Sequence, residues 1–170
     1  MKLKLHGLRN RGQIEITAEK APADYNLDPE EFDKPVQIRV LLQDSGDIVD
    51  CNITIDTFSR KICDRCLTDF DYPHLIEWDL IFIPEQHRDW SSKDDAVFYH
   101  PDNPVVDITN DIHDALVLDV PMKIICRENC RGLCPGCGID LNNGDCSCAA
   151  KPADPRFAAL AELKRKMQAD

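Results

Sequence analysis

No stretch of this chain approaches the about 20 consecutive apolar residues that a membrane-spanning helix needs. The N-terminus, MKLKLHGLRNRG, alternates charged and apolar residues from its start. It therefore lacks the apolar run of a secretory signal and the Ser-rich character of a transit peptide. Both absences point to a cytoplasmic protein with no membrane contact, in a compartment that keeps thiols reduced and makes structural disulfides rare. Catalytic signatures are missing too. There is no Gly-rich phosphate loop and no H-E-x-x-H. The five histidines, His6, His74, His87, His100 and His113, are scattered, none with a serine or carboxylate at a useful spacing. His113, between Asp111 and Asp114, reads as part of a solvated helix face. The expectation is a protein that is not an enzyme and has no small-molecule substrate.

What is present is charge of unequal distribution. The net charge is −11, which taken alone argues against a nucleic-acid binder. Residues 1–13, however, carry four bases and no acid, residues 14–120 carry 25 acids against 8 bases, and residues 121–170 carry 8 bases against 6 acids. Two basic ends flank a strongly acidic middle.

With 170 residues, 43% of them hydrophobic, the chain can bury a core of its own. Three stretches alternate at period two: PVQIRVLLQ, IVDCNITID and LIEWDLIFI. They read as half-buried antiparallel strands, with DSGD at 44–47 turning between the first two. KLKLHGL and QIEITAE read as shorter strands, and residues 84–104 as a long surface loop rich in turn formers. Ile108, Ile112, Ala115 and Leu116 have helical spacing, with Pro121 just beyond. A terminal helix follows from Asp154 as cap, Pro155 at the first position and the stripe Phe157, Leu160, Leu163 and Met167.

Nine cysteines remain to be sorted. Cys51 lies on the apolar face of a strand between Val49 and Ile53, where a free thiol behaves as a small hydrophobe. Eight are left, enough for two quartets. Cys63 and Cys66 form a C-x-x-C turn just after a strand, and both thiolates lie on one side of a tight loop, as a tetrahedral ion requires. A redox dithiol would favour the start of a helix in a βαβ unit instead. Cys134 and Cys137, in CPGCG, form a second turn that glycines allow to curl, and Cys146 and Cys148 follow across LNNGD. These four make a compact site in one loop. Cys126 and Cys130 then lack partners, and the unassigned pair is Cys63 with Cys66. A second site joining segments far apart in sequence follows by elimination. All-thiolate ligation fits zinc, with an iron–sulfur cluster as the rival. Two filled Zn²⁺ sites leave no open position for a catalytic water.

The order of these elements resembles the YceD family, the large ribosomal RNA subunit accumulation proteins of bacteria and plastids. The resemblance rests on the MKLKLHGL opening, CDRCLTDF, PMKIIC after a helix, CRGLCPGCGIDLNNGDCSC and the closing DPRFAALAELKRK. It implies a metal-binding, nucleic-acid-associated factor needed for accumulation of the large-subunit ribosomal RNA. It also matches Cys63 and Cys66, with Cys126 and Cys130, to the family's ligand positions. The expected architecture is α+β: an antiparallel β-sheet or partly open barrel with a C-terminal cysteine-rich zinc lobe and terminal helix. The expected division is 1–120 and 121–170, docked as one unit. Two functions compete. In one, RNA or a pre-ribosomal particle meets the basic fringe of Lys2, Lys4, Arg9, Arg11, Lys123, Arg127 and Arg131, with Lys164, Arg165 and Lys166 as a weaker surface. In the other, the acidic face docks a ribosomal or assembly protein.

Overall fold

The computed structural model describes residues 1–90 and 96–148, with Arg156 and Leu160. The expected terminal helix and its basic triad otherwise lie outside the described residues. The chain divides into two compact units, residues 1–130 and 131–170.

The first unit is built on a sheet of five strands in the order β2–β3–β4–β5–β6. These are β2 (Gln13–Lys20), β3 (Val36–Asp44), β4 (Val49–Ile62), β5 (Asp69–Pro84) and β6 (Ala96–Tyr99). β2 to β5 run antiparallel in sequence order, each hairpin bringing like faces together. Val40 faces Ile53 and Ile53 faces Trp78, so one face carries the apolar set. That face supplies most of the core, with Val36, Ile38, Leu42, Cys51, Ile55 and Phe82 all buried. Helix α2 (Thr109–Leu118) adds Ile112 and Leu116 to the same core. A short ribbon pairs β1 (Lys2–Lys4) with β7 (Val105–Asp107), and a single helical turn, α1 (Leu8–Arg11), precedes β2. No helix among the described residues is long and apolar enough to cross a membrane.

Three expectations need correction. The sheet is open, one of the two expected forms, but its last pair is parallel rather than antiparallel: Ile81–Pro84 run beside Ala96–Tyr99. Residues 84–104 are therefore not one loop. AVFY supplies four half-buried residues, enough to add an edge strand that the surrounding turn formers concealed. Strands β4 and β5 also extend well past the expected stretches. Their far halves carry Thr57, Ser59 and His74 on the inner face, all buried, so the apolar alternation breaks although the strand continues.

The polar residues in that far half are satisfied. Thr57 Oγ1 donates to the Pro35 carbonyl at 3.2 Å. His74 lies between Ser59, 2.8 Å from Nε2, and Asp119, 2.8 Å from Nδ1, with Tyr72 and Phe32 rings against it. Nδ1–H donates to the Asp119 carboxylate, and Nε2 accepts the Ser59 hydroxyl. The sequence reading gave His74 no such partners, because they lie 15 and 45 residues away. The chain of three has the order of a hydrolase triad, but Ser59 is 1% exposed and His74 fully buried, so neither is open to a substrate. Its role is to tie the end of α2 to the sheet. His113, expected to be solvated, is half-buried and hydrogen-bonds the Tyr25 carbonyl through Nδ1 at 3.0 Å.

Candidate metal centres

β4 and β5 are joined by CDRCLT, so the first cysteine pair is the tip of the longest hairpin in the sheet. The Cys63 amide donates to the Thr68 carbonyl at 3.0 Å, closing the strands. The Leu67 amide donates to the Cys63 carbonyl at 2.9 Å, which curls the loop and places Leu67 in the left-handed region at φ 59. The thiols of Cys63 and Cys66 are thereby turned to one side.

The other pair arrives on residues 120–130, which leave α2 and run along this tip. Asp64 grips the near end twice: its amide donates to the Ile124 carbonyl at 2.8 Å, and its Oδ2 accepts the Ile124 amide at 2.6 Å. Arg65 grips the far end, its Nη1 donating to the Cys130 carbonyl at 2.9 Å. The two residues inside C-x-x-C thus hold the segment that carries Cys126 and Cys130. Sγ of Cys63 lies 3.9 Å from that of Cys130, and Sγ of Cys66 lies 3.7 Å from that of Cys126. Four sulfurs at about 2.3 Å around a tetrahedral Zn²⁺ stand about 3.8 Å apart. The spacing fits the ion.

The second quartet belongs to the second unit. Cys134 donates its amide to the Ile139 carbonyl at 2.8 Å, and Gly138, at φ 76, donates to the Cys134 carbonyl at 2.9 Å. The Gly136 amide points at Cys134 Sγ, 3.4 Å away. A Cβ on Gly136 would stand 3.2 Å from Cys148 Sγ, so a larger residue there would press on the last ligand. Asp140 organises LNNGD by accepting from the Asn142 amide at 2.9 Å and Asn143 Nδ2 at 2.8 Å. That turn brings Cys146 and Cys148 back to Cys134 and Cys137, with all four sulfurs within 4.8 Å of one another. Cys146 and Cys134 stand 3.2 Å apart, closer than a tetrahedral edge.

Each quartet has one thiol prepared to ionise. Burial pushes Cys63 up, but amides of Cys126, Cys66 and Arg65 outweigh it and bring the group down to about 6. Amides of Cys137 and Gly136, with the Cys146 thiol, hold Cys134 at about 6. Burial, then the neighbouring Cys66 and Cys63 thiols, push Cys126 up to about 12, and the Cys137 thiol does the same to Cys148. Sulfurs this close cannot all carry charge alone, and a dication supplies the compensation. Both quartets could hold a metal ion. Cys51 stands apart, fully buried in the core and pushed up to about 12 by burial, then by Asp79 and Asp111.

The basic residues are carried by separate elements. Lys2 and Lys4 project from β1, Arg11 ends α1, and Lys123 and Arg127 stand exposed on residues 120–130. Arg9 lies within α1. Arg131 belongs to the second unit, where its guanidinium meets Asp145 at 2.9 Å. Arg65 was missed by the sequence reading. A base inside C-x-x-C was the available signal, and only the fold shows which carbonyls it meets.

A family model described as "Large ribosomal RNA subunit accumulation protein YceD" matches residues 51–164, a span containing all eight quartet cysteines. A chloroplastic YCED homolog 1 of Arabidopsis thaliana, named as a large ribosomal RNA subunit accumulation protein, is 30% identical over 79 residues. That match covers 46% of this chain and only 25% of the plant protein. The uncharacterised YlbN of Bacillus subtilis is 28% identical over 155 residues, 80% of this chain and 88% of its own length. An uncharacterised protein of Mycobacterium tuberculosis is 26% identical over 148 residues, covering 75% of this chain and 68% of the other. No solved structure matches.

Proposed function

The chain belongs to the YceD family, and from that premise we propose that it is a zinc-holding, non-catalytic factor that supports accumulation or maturation of the large ribosomal subunit RNA. Cys63, Cys66, Cys126 and Cys130 hold one Zn²⁺, and Cys134, Cys137, Cys146 and Cys148 hold another. The reduced thiols suit the cytoplasm. RNA, free or in a pre-ribosomal particle, is met through the cations around the first site. The carrying observation is the double grip of Asp64 and Arg65 on residues 124–130. A segment fixed at both ends presents Lys123 and Arg127 with little freedom left to lose, which lowers the entropic cost of meeting phosphates.

The test is the pair Lys123→Gln with Arg127→Gln, measured at full zinc content. RNA binding should weaken about uniformly across sequences and lose part of its salt dependence. Unchanged binding would show that these cations only offset the thiolate charge. A second reading has its own support. The outer face of β2–β5 is uncovered and carries Glu15, Glu19, Asp56, Glu77 and Asp79, all exposed. A protein adaptor would use this face to bind a basic ribosomal or assembly protein, and would show no affinity for naked RNA at any salt concentration.

A further inference from the structure

Leu67 breaks two rules at once. It holds a left-handed backbone, φ 59, which a side chain with a Cβ adopts only under strain. It is also 64% exposed, so burial offsets little of that strain. The second knuckle is an internal control. The same position after its second cysteine, with the same hydrogen bond back to the first, is occupied by Gly138. Metal geometry therefore accepts glycine here, and neither the turn nor the core accounts for leucine.

Its neighbourhood suggests what does. Ile62, one residue before the knuckle, is 58% exposed, and Met122, held beside the knuckle by the Asp64–Ile124 pair, is fully exposed. Around these apolar groups, residues 60–67 and 121–130 carry five cations, of which Lys61 is paired with Glu31, against two carboxylates, in a chain of net charge −11. An apolar point within a cationic rim matches a polyanion that exposes flat apolar faces. We infer that Leu67, with Ile62 and Met122, packs on unpaired nucleobases of RNA while Arg65, Lys123 and Arg127 face the phosphates. This rests on the RNA-binding reading above and adds that the preferred RNA is single-stranded. Aliphatic wedges placed against or between bases are a known means of gripping nucleic acid, and unpaired bases need no unstacking from a partner strand.

The test is Leu67→Gly, a change that relieves the backbone and spares every ligand. Affinity is read by fluorescence anisotropy with a labelled single-stranded RNA of mixed sequence and with the same RNA annealed to its complement. The variant should keep two zinc ions, melt no lower than the parent, and bind the single strand about tenfold more weakly, as expected for the lost burial of one leucine. Leu67→Met should restore most of the loss, and the duplex should bind more weakly than the single strand throughout. Parental affinity in Leu67→Gly, or loss of zinc or stability in that variant, would overturn the inference. So would unchanged binding of free RNA with lost association to pre-ribosomal particles, which would assign the leucine to a protein contact. If the parent binds no RNA, the functional reading itself fails. If Lys123→Gln with Arg127→Gln weakens binding and Leu67→Gly does not, only the wedge fails.

Discussion

The two cysteine quartets use one hydrogen-bond scheme on very different foundations. In both, the first cysteine of the knuckle donates its amide five residues ahead, and the residue after the second cysteine donates back to it from a left-handed turn. The first quartet stands at the end of a sheet with its own packed core, and Cys63, Cys66 and Cys130 are buried. The second has little buried apolar surface among its described residues. Among residues 131–148 only Gly132 and Cys134 are buried, and Ile139 is largely exposed. A region without apolar burial cannot offset the entropy of ordering its backbone. In the first unit a metal would finish a fold that hydrophobic burial already specifies. In the second, a metal held by the four thiols would supply the fold.

Metal removal should break this symmetry most visibly. Protein purified without chelator should carry about two zinc ions per chain, and chelation should abolish amide-exchange protection throughout 131–148 while β3, β4 and β5 stay protected. Protection surviving in 131–148 would refute the contrast, and iron with a visible absorbance band would refute zinc. The single variants divide the effect. Cys137→Ser should release one ion and leave the sheet folded, whereas Cys63→Ser should release the other and loosen residues 120–130 without disturbing 134–148.

A smaller effect, confined to the first unit, is expected from Asp119→Ala. It leaves the buried His74 short of a partner and frees the start of the segment that carries Cys126. The expected cost is about 1–3 kcal/mol in denaturant melts, with the zinc exchange rate of the second quartet unchanged. Equal effects on both quartets would show that the units are not energetically separate.

Smallest is the pair of turn substitutions. Gly138→Ala meets no atom within 4 Å, so its cost is conformational, about 1 kcal/mol. Leu67→Gly should move stability by a similar amount or less in the favourable direction, because relieved strain is partly offset by a freer unfolded chain. Opposite signs at equivalent positions would confirm that both knuckles demand the same backbone. A loss in both would mean that Leu67 is held by packing.

What was legible in the sequence follows the same division. Alternation exposed β3 and the near halves of β4 and β5, where Val40, Ile53 and Trp78 face one another. It failed where the inner face turns polar at Thr57, Ser59 and His74, because their partners are set by tertiary structure. Elimination brought Cys63 and Cys66 to Cys126 and Cys130, as the sulfur positions have them. It could not reveal that Asp64 and Arg65 hold the incoming segment, since their targets are backbone carbonyls and an amide that carry no sequence mark. β6 stayed hidden inside a segment dominated by turn formers.

The distance along the chain between the halves of the first quartet has a consequence for biosynthesis. Cys66 and Cys126 are 60 residues apart, and the hairpin bearing the first pair is complete long before the second is translated. At about 5–20 residues per second, that hairpin waits several seconds with two open thiols. The second quartet is gathered within a single short loop and can close almost as soon as it leaves the ribosome. An ion at the first quartet would therefore be held fully only once Cys126 and Cys130 arrive. Until then, the Cys63 and Cys66 thiols at the hairpin tip lack the two partners that would complete the site.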